Sequence, residues 1–163
     1  MEASCVVKSP LGPLTLTATA AGVCGLDFGA TPTPSTVVAT PNSDCEQAQA
    51  WLAQLNHELV EYFDGQRRQF NVPLVPHGTA FQQQVWQALT TIPFGTTESY
   101  RWLAESVSRP RGFQAVGQAN GRNPIAIVIP CHRVINLNGQ LGGYSGGLDK
   151  KEWLLAHEAR FYS

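Results

Sequence analysis

The sequence has few cysteines, no long hydrophobic run and almost no net charge. Its 163 residues include four cysteines, widely spaced at Cys5, Cys24, Cys45 and Cys131. No stretch reaches the ~18 to 20 apolar residues of a membrane-spanning helix, and the first residues lack the basic and apolar regions of a secretory signal. We therefore expect a cytoplasmic protein, or a nuclear one in a eukaryote, with reduced thiols, although an even cysteine count leaves disulfides open.

The net charge of −1 argues against nucleic acid as a partner, but the charge is distributed unevenly. Residues 1–76 contain three basic and seven acidic side chains, whereas residues 77–163 contain eight basic and five acidic ones. Five arginines lie within 33 residues that include one acid, Glu105: Arg101, Arg109, Arg111, Arg122 and Arg133. Because salt confines electrostatic fields to about 8 Å, a local basic face can bind phosphates whatever the total charge. The alternative is a solvated charged surface.

The first 76 residues predict a small sheet followed by one helix. Residues 4–28 alternate around turn signals, which indicates short antiparallel strands, and a loop rich in proline and threonine is expected over 31–42. Residues 43–65 begin with a capping-box spacing and carry apolar side chains at helical intervals before a terminal glycine. The stretch 72–76 indicates a last strand or an extended linker, so we place a domain boundary near residue 76.

The remaining residues, 77–163, predict a mostly helical domain. A second helix is expected from about Thr79, and two short helices over 99–107 and 112–120 flank a tight polar turn, which is consistent with a helix-turn-helix. A last helix is predicted over 148–159. We therefore expect an α/β protein in which a small N-terminal domain, an antiparallel sheet plus a helix, packs on a C-terminal, mostly helical domain with a helix-turn-helix.

A thiol and an imidazole are adjacent in the tetrad Pro130-Cys131-His132-Arg133, which follows the apolar run 125–129. The run predicts a buried strand that ends at the proline and presents the cysteine. A thiol needs a nearby base or cation to form the thiolate, which is the species that attacks an electrophile. The alternative is an inert buried cysteine, because free cysteine is among the most frequently buried residue types.

Further segments accompany the tetrad: Asn123-Pro124 before it, and Gly143–Gly147 and Lys151–Glu158 after it. Together they resemble the O6-alkylguanine-DNA alkyltransferases (methylated-DNA–protein-cysteine methyltransferases), from about Phe81 to Glu158 and more loosely at Ser9–Gly12. The resemblance implies DNA repair by direct, stoichiometric transfer of an alkyl group from O6 of guanine to Cys131 without turnover, with O4 of thymine as an open alternative. It implies no metal or organic cofactor, and a monomer that binds double-stranded DNA in the minor groove.

The resemblance assigns four catalytic residues. Cys131 corresponds to the nucleophile, His132 to the base and Glu158 to the carboxylate that orients the imidazole, with a water between thiol and imidazole. Tyr100 corresponds to a tyrosine that assists departure of the base by donating to a ring nitrogen. Taken alone, Glu158 would be an exposed glutamate in a last helical turn, and Tyr100 could simply pack on its helix.

The resemblance also implies contacts with the extruded base. The backbone N–H of Ser145 faces O6, and the carbonyls of Cys131 and Val134 accept from the exocyclic amine. Asn123 corresponds to a hinge residue that ties the helix-turn-helix to the active-site strand, although it could also be a turn residue before Pro124. Lys151 corresponds to a lysine near the site without a settled role.

The resemblance places DNA binding on the second short helix, and the uneven charge adds the arginines. Small residues there allow close approach to the minor groove, and Ala115, Gly117 and Ala119 meet that need, though small residues also serve helix packing. Relatives insert an arginine into the gap left by the flipped base, whereas this chain has Gln114. Phosphate contacts are assigned to Arg101, Arg111, Arg122 and Arg133. Ala126 replaces a second proline of some relatives in the pocket wall, which leaves pocket width open.

Two other possibilities concern metal and function. Some relatives bind zinc through N-terminal cysteine and histidine, but Cys5 and Cys24 lack partners at zinc-like spacing, so we favour strand cysteines that face a core and expect no metal. The alternatives to a repair alkyltransferase are a non-catalytic DNA-binding relative, which would lack Cys131, and an unrelated thiol hydrolase, which the glycine-rich loop and helix-turn-helix disfavour.

Overall fold

The computed structural model describes residues 2–30, 43–144 and 146–162. It divides into two compact units, Met1–His77 and Gly78–Ser163. The loop expected over 31–42 and the binding residue Ser145 lie outside the described residues. No helix within the described part of the chain is both long and apolar enough to cross a membrane.

The N-terminal unit is a three-stranded antiparallel sheet with one long helix. Its elements, in chain order, are β1 (Ala3–Val7), β2 (Leu14–Thr19), β3 (Gly22–Phe28) and α1 (Ser43–Phe63). The strands pair in the order β1-β2-β3, and Leu14, Leu16 and Ala18 of the central strand are fully buried. The predicted sheet-plus-helix domain is confirmed.

The segment that ends this unit runs beside β3. Val23 donates its N–H to the Pro73 carbonyl and accepts from Val75 N–H, each at 2.8 Å. Gly22 has φ +155°, and a Cβ there would lie 2.6 Å from the Pro73 oxygen, so only glycine fits this approach. Stretch 72–76 is thus an extended segment, and within the described residues it joins the sheet through an isolated bridge between Leu74 and Val23.

The C-terminal unit is mostly helical. Its helices are α2 (Ala80–Leu89), α3 (Tyr100–Ser106), α4 (Phe113–Gly121) and α5 (Leu148–Phe161), and its two short strands are β4 (Glu98–Ser99) and β5 (Val134–Ile135). β4 and β5 pair in parallel. Thr79 and Gln82 form a reciprocal capping box at the start of α2. Trp86 on this helix is buried and donates to the Ala119 carbonyl at 2.8 Å, which ties α2 to α4.

The predicted helix-turn-helix corresponds to α3 and α4. Ser99 caps α3 by accepting from Trp102 N–H at 3.0 Å. The turn that follows contains Ser108 at φ +59°, a left-handed conformation that reverses the chain between the helices. Leu103 and Val116 are fully buried, one on each helix, so both helices turn an apolar face inwards.

The strand predicted over 125–129 does not form. The run is a buried tight turn, in which Val128 N–H donates to the Ala126 carbonyl at 2.8 Å and Ile129 N–H donates to Ile125 at 3.0 Å. Ile127 adopts φ +71°, which a strand does not allow. A short run that is apolar at every position has no periodicity to separate a strand from another buried conformation, so the sequence was ambiguous here.

Candidate active site

Cys131 lies in a pocket of the C-terminal unit with a volume of about 1090 Å³. It is the first residue of a 3-10 turn, Cys131–Arg133, that follows the buried turn directly. Its side chain is 3% exposed. Tyr100 and Tyr144 line the same pocket, together with Gln114 and Gly117 of α4. Among the described residues, the pocket that holds the cysteine is lined by both the helix-turn-helix and the glycine-rich loop.

The surroundings of Cys131 both oppose and assist ionisation. Burial is the largest influence and raises the pKa of the thiol. Hydrogen bonding to Asn123 and Tyr144 and the positive charge of Lys151 act in the opposite direction by favouring the thiolate. The resting group is therefore a thiol that needs a base to accept its proton when it reacts.

His132 and Glu158, which the resemblance paired, lie together and are both buried. His132 Nε2 lies 2.7 Å from Glu158 Oε2, and the side chains are 0% and 1% exposed. Because an ionised carboxylate can only accept, Nε2 carries the hydrogen and Nδ1 has the lone pair. Nδ1 is buried and has no hydrogen-bond partner among the described residues. Burial lowers the pKa of His132, against the opposing effect of Glu158, so the imidazole is neutral.

Arg133 is buried rather than on the DNA-binding face, so its assignment to phosphate contacts is wrong. Its side chain is 7% exposed. Nε and Nη2 donate to the two oxygens of Glu158 at 2.7 and 2.9 Å, and Nη1 donates to the Ile92 carbonyl at 2.7 Å. Burial by itself raises the pKa of Glu158, but the hydrogen bonds donated by His132 and Arg133 and the positive charge of Arg133 outweigh it and hold that pKa well below its usual range.

Tyr100 stands at the first position of α3 and faces the pocket. Burial, followed by the nearby Cys131, raises its pKa, whereas a hydrogen bond from Asn120 acts against that rise. The phenol therefore keeps its proton at neutral pH and can donate it. Gly142 has φ +71°, and a Cβ there would lie 3.2 Å from the Tyr100 ring, so the loop packs closely against the tyrosine.

Asn123 and Lys151 fix the backbone around the cysteine. Asn123 donates to the Ile129 carbonyl at 2.7 Å and accepts from Ile125 N–H at 2.9 Å, which joins the end of α4 to the turn before Cys131. Lys151 is 0% exposed, and its Nζ donates to the carbonyls of Val134 at 2.7 Å, Leu141, and Gly143 at 3.2 Å. Burial lowers the pKa of Lys151 to about 8, with Cys131 opposing this, so the ammonium form still predominates at pH 7.

The Val134 carbonyl is therefore already engaged by Lys151. A carbonyl oxygen has two lone pairs, so one remains for the exocyclic amine that the resemblance assigned to it. Val134 itself is fully buried and is not among the residues that line the pocket.

The exposed side of α4 carries some of the residues that were expected to contact DNA. Ala115 is exposed, and a Cβ on Gly117 would meet nothing within 4 Å, so both positions permit close approach. Ala119 is buried and packs towards α2, so its assignment to the DNA-binding face is wrong. Gln114 is exposed at the pocket. Three assigned arginines are also exposed: Arg101, Arg111 and Arg122.

Sequence reasoning gave no role to two pocket residues, Asn120 and Tyr144. Asn120 is buried, hydrogen-bonds to Tyr100, and has a carboxamide oxygen without a partner among the described residues. Tyr144 acts on Cys131 by favouring its thiolate, and burial, followed by the cysteine, raises the pKa of Tyr144. Tyr144 lies within the glycine-rich motif and could have been found there, whereas only the folded chain identifies Asn120.

A possible metal-ligand group lies in the N-terminal unit. Ligand atoms of Glu2, Cys24 and His77 lie within 4.8 Å of one another, and Cys5 is not part of the group. Glu2 and His77 are exposed. Three ligand atoms fall short of the four that a closed structural zinc site uses.

Comparison with known proteins identifies both halves of the sequence. Residues 5–76 match the 6-O-methylguanine DNA methyltransferase ribonuclease-like domain, and residues 80–160 match the 6-O-methylguanine DNA methyltransferase DNA binding domain. A methylated-DNA–protein-cysteine methyltransferase of Methanosarcina barkeri is 42% identical over 153 residues, which cover 94% of each chain. A protein of the same name from Mycobacterium leprae is 46% identical over 153 residues, or 93% of this chain and 89% of that one.

Solved structures give the same result. The crystal structure of Mycobacterium tuberculosis O6-methylguanine methyltransferase is 40% identical, has a TM-score of 0.83, and matches over 100% of this chain and 96% of that chain. A structure of Mycobacterium tuberculosis OGT in complex with DNA is 40% identical with a TM-score of 0.80, over 96% and 92% of the two chains.

Proposed function

Because the chain belongs to the 6-O-methylguanine DNA methyltransferase family, we propose that it repairs DNA by moving an alkyl group from O6 of guanine to Cys131. The observation that carries this proposal is a buried cysteine, in a pocket, next to a buried histidine–carboxylate pair. The whole constellation belongs to Gly78–Ser163, so we assign DNA binding and alkyl transfer to that unit. The resemblance to relatives implies a single acting chain, so we also propose that a monomer acts.

The reaction is a displacement at carbon. The sulfur of Cys131 forms a bond to the alkyl carbon as the bond from that carbon to O6 breaks. The thiol proton passes to Nδ1 of His132, and the resemblance to relatives places a water between the two groups. The buried, unpartnered Nδ1 supports this step, because such an atom requires a hydrogen-bond partner and water can serve.

Tyr100 completes the proton balance. As the guanine leaves, a ring nitrogen takes the phenolic proton of Tyr100. The proton that His132 took from the thiol then restores the phenol, so the net change moves the thiol hydrogen to the product base and leaves His132 neutral. The raised pKa of Tyr100 supports this role, because the group must be protonated at neutral pH in order to donate. No step regenerates the thiol, since a thioether is not a leaving group under physiological conditions. One protein molecule therefore repairs one lesion.

The target atom is inside the duplex, so the nucleotide has to be extruded into the pocket. We propose that α4 enters the minor groove, with Ala115 and Gly117 allowing close approach and Gln114 at the gap in the stack. The exposed guanidinium groups of Arg101, Arg111 and Arg122 would contact phosphates. The protein would act wherever DNA is accessible, in the cytoplasm or in a nucleus.

Intact-mass spectrometry tests the proposal. After incubation with duplex DNA that contains O6-methylguanine, the protein should gain the mass of one methyl group on the Cys131 peptide, with transfer ending at one equivalent. Cys131→Ala should show no gain. Cys5→Ala is the matched control, because Cys5 is less buried than the other three cysteines and should react first if any accessible thiol sufficed. Repeated turnover would indicate a hydrolase, and binding of the lesion without transfer would indicate a recognition protein.

A further inference from the structure

Four donors surround the carboxylate of Glu158. Oε2 accepts from His132 Nε2 at 2.7 Å and from Arg133 Nη2 at 2.9 Å. Oε1 accepts from Arg133 Nε at 2.7 Å and from Gly95 N–H at 3.3 Å. A carboxylate offers about four acceptor positions, so a proton on either oxygen would displace one of these donors.

Arg133 is the permanent positive charge in this arrangement. A guanidinium does not deprotonate in proteins, and this one contacts the carboxylate through two parallel hydrogen bonds, the geometry in which arginine and carboxylate bind most strongly. Its third nitrogen donates to the Ile92 carbonyl at 2.7 Å, which holds the side chain in place. The side chain is buried, so it is directed at Glu158 and not at phosphate.

We propose that Arg133 is a positioning residue for alkyl transfer: its paired guanidinium keeps Glu158 ionised and leaves His132 as the neutral tautomer with Nδ1 unprotonated. The physical reason is charge balance. Since Arg133 neutralises the buried carboxylate, the imidazole does not have to carry a compensating charge. Without Arg133, Glu158 would draw a proton onto His132, and Nδ1 would be occupied before the thiol could release its own proton. The kinetic test of this role for Arg133 rests on the proposed alkyl transfer, whereas the spectroscopic test does not.

The other groups around the imidazole set the direction of the expected change. Burial and the positive charges of Arg133 and Lys151 lower the pKa of His132, and the charge and hydrogen bond of Glu158 raise it. The neighbouring thiol of Cys131 is uncharged at rest. Removing Arg133 therefore leaves Glu158 less opposed, and we expect the pKa of His132 to rise by about one unit or more.

The first test is the pH profile of single-turnover methyl transfer from duplex DNA by wild type, Arg133→Gln and Arg133→Lys. In Arg133→Gln the acid limb, where His132 loses its proton, should move to higher pH by about one unit or more. Arg133→Lys keeps the charge but not the two-pronged geometry, so its limb should stay near that of wild type while the rate falls at every pH. Arg160→Gln, which removes an exposed arginine of α5 to which no role is assigned, should leave the midpoint unchanged.

The second test is nitrogen NMR of the His132 ring, which does not require activity. Wild type near neutral pH should show a protonated Nε2 and an unprotonated Nδ1, and Arg133→Gln should show protonation of both nitrogens at a higher pH than wild type. If Arg133→Gln does not fold, the protonation state of the His132 ring in wild type and in Arg133→Lys still tests the proposal.

Several outcomes overturn the proposal. One is a doubly protonated His132 in wild type at neutral pH, and another is Arg133→Gln with the midpoint and tautomer of wild type. A loss of rate and thermal stability without any change in midpoint would mean that Arg133 only supports the fold. A wild-type protein that binds DNA but transfers nothing would contradict the proposed function, while the ring spectra would still decide the role of Arg133.

Discussion

Glu158→Gln replaces one carboxylate oxygen by an amide nitrogen and removes a negative charge from the buried site. Each oxygen of Glu158 accepts from two donors, namely His132 and Arg133 on one side and Arg133 and Gly95 on the other. Whichever way the carboxamide turns, its NH2 group faces two donors. If that side is the one towards His132, the imidazole must present a lone pair at Nε2 and carry its hydrogen on Nδ1. The base would then be in the wrong tautomer.

The size of the effect follows from burial. Removing one partner of a buried ion pair lowers the free energy of unfolding by about 3–5 kcal/mol. For Glu158→Gln we expect a loss of stability of about 3 kcal/mol, because the remaining oxygen still accepts two of the four hydrogen bonds. Loss of a positioned general base slows a reaction by about 10²- to 10⁴-fold, and transfer to Cys131 should slow by at least the lower figure. Duplex affinity should not change, because Glu158 is 1% exposed and lies outside the pocket lining.

The pH profile gives the variant a signature of its own. Since Glu158 raises the pKa of His132, its removal should move the acid limb of the rate profile to lower pH. This is opposite in sign to the shift expected for Arg133→Gln. General unfolding would not shift the two variants in opposite directions.

The assay combines single-turnover transfer from an O6-methylguanine duplex with fluorescence anisotropy of the same duplex on unreacted protein, well below the unfolding temperature. Glu152→Gln is the control, because it makes the same chemical change at an exposed position of α5. Equal losses of binding and transfer in Glu158→Gln would refute the reasoning, and so would a rate equal to that of Glu152→Gln.

Two further predictions concern extrusion and the loop. We compare the rate of transfer from duplex DNA with the rate of transfer from the free O6-alkylguanine base. Gln114→Arg should raise this ratio, because a guanidinium can fill the vacated stack, whereas Arg111→Ala should lower it. An unchanged ratio in both variants would mean that neither residue supports extrusion. Lys151→Met should slow transfer from duplex and free base alike, because the loop carbonyls lose their shared donor. Lys150→Met, which removes the adjacent and partly exposed ammonium, is the control and should transfer at the wild-type rate. If Lys151→Met slowed transfer from the duplex but not from the free base, Lys151 would instead belong to DNA binding.

Local signals predicted the elements well. Thr79 and Gln82 are three residues apart, so their reciprocal capping depends only on short-range geometry, and α2 begins at the next residue after Thr79. The adjacent Cys131 and His132 likewise need no long-range information to be recognised as a candidate pair. The partner Glu158 is 26 residues from His132, and only the resemblance to relatives brought it into the site before the structure was known.

The errors have a different physical origin, since each concerns which way a side chain or segment faces. The run 125–129 is buried on all sides, so its composition indicated burial correctly but not the left-handed Ile127 that makes it a turn. A small residue such as Ala119 suits a helix surface that meets DNA and equally one that packs on another helix. Burial of Ala119 in the folded chain shows that here it serves packing.

Arg133 shows most clearly why charge counted along a sequence differs from charge available at a surface. It belongs to the same basic cluster as Arg101, Arg111 and Arg122, yet its charge is cancelled inside the protein by Glu158. A count of the arginines in this part of the sequence therefore overestimates the number of phosphates that the protein can neutralise. The salt dependence of duplex binding should reflect the exposed arginines alone. The same separation allows the buried pair to govern proton transfer without affecting affinity, because a charge sealed from solvent and paired at short range contributes little to the field at the DNA.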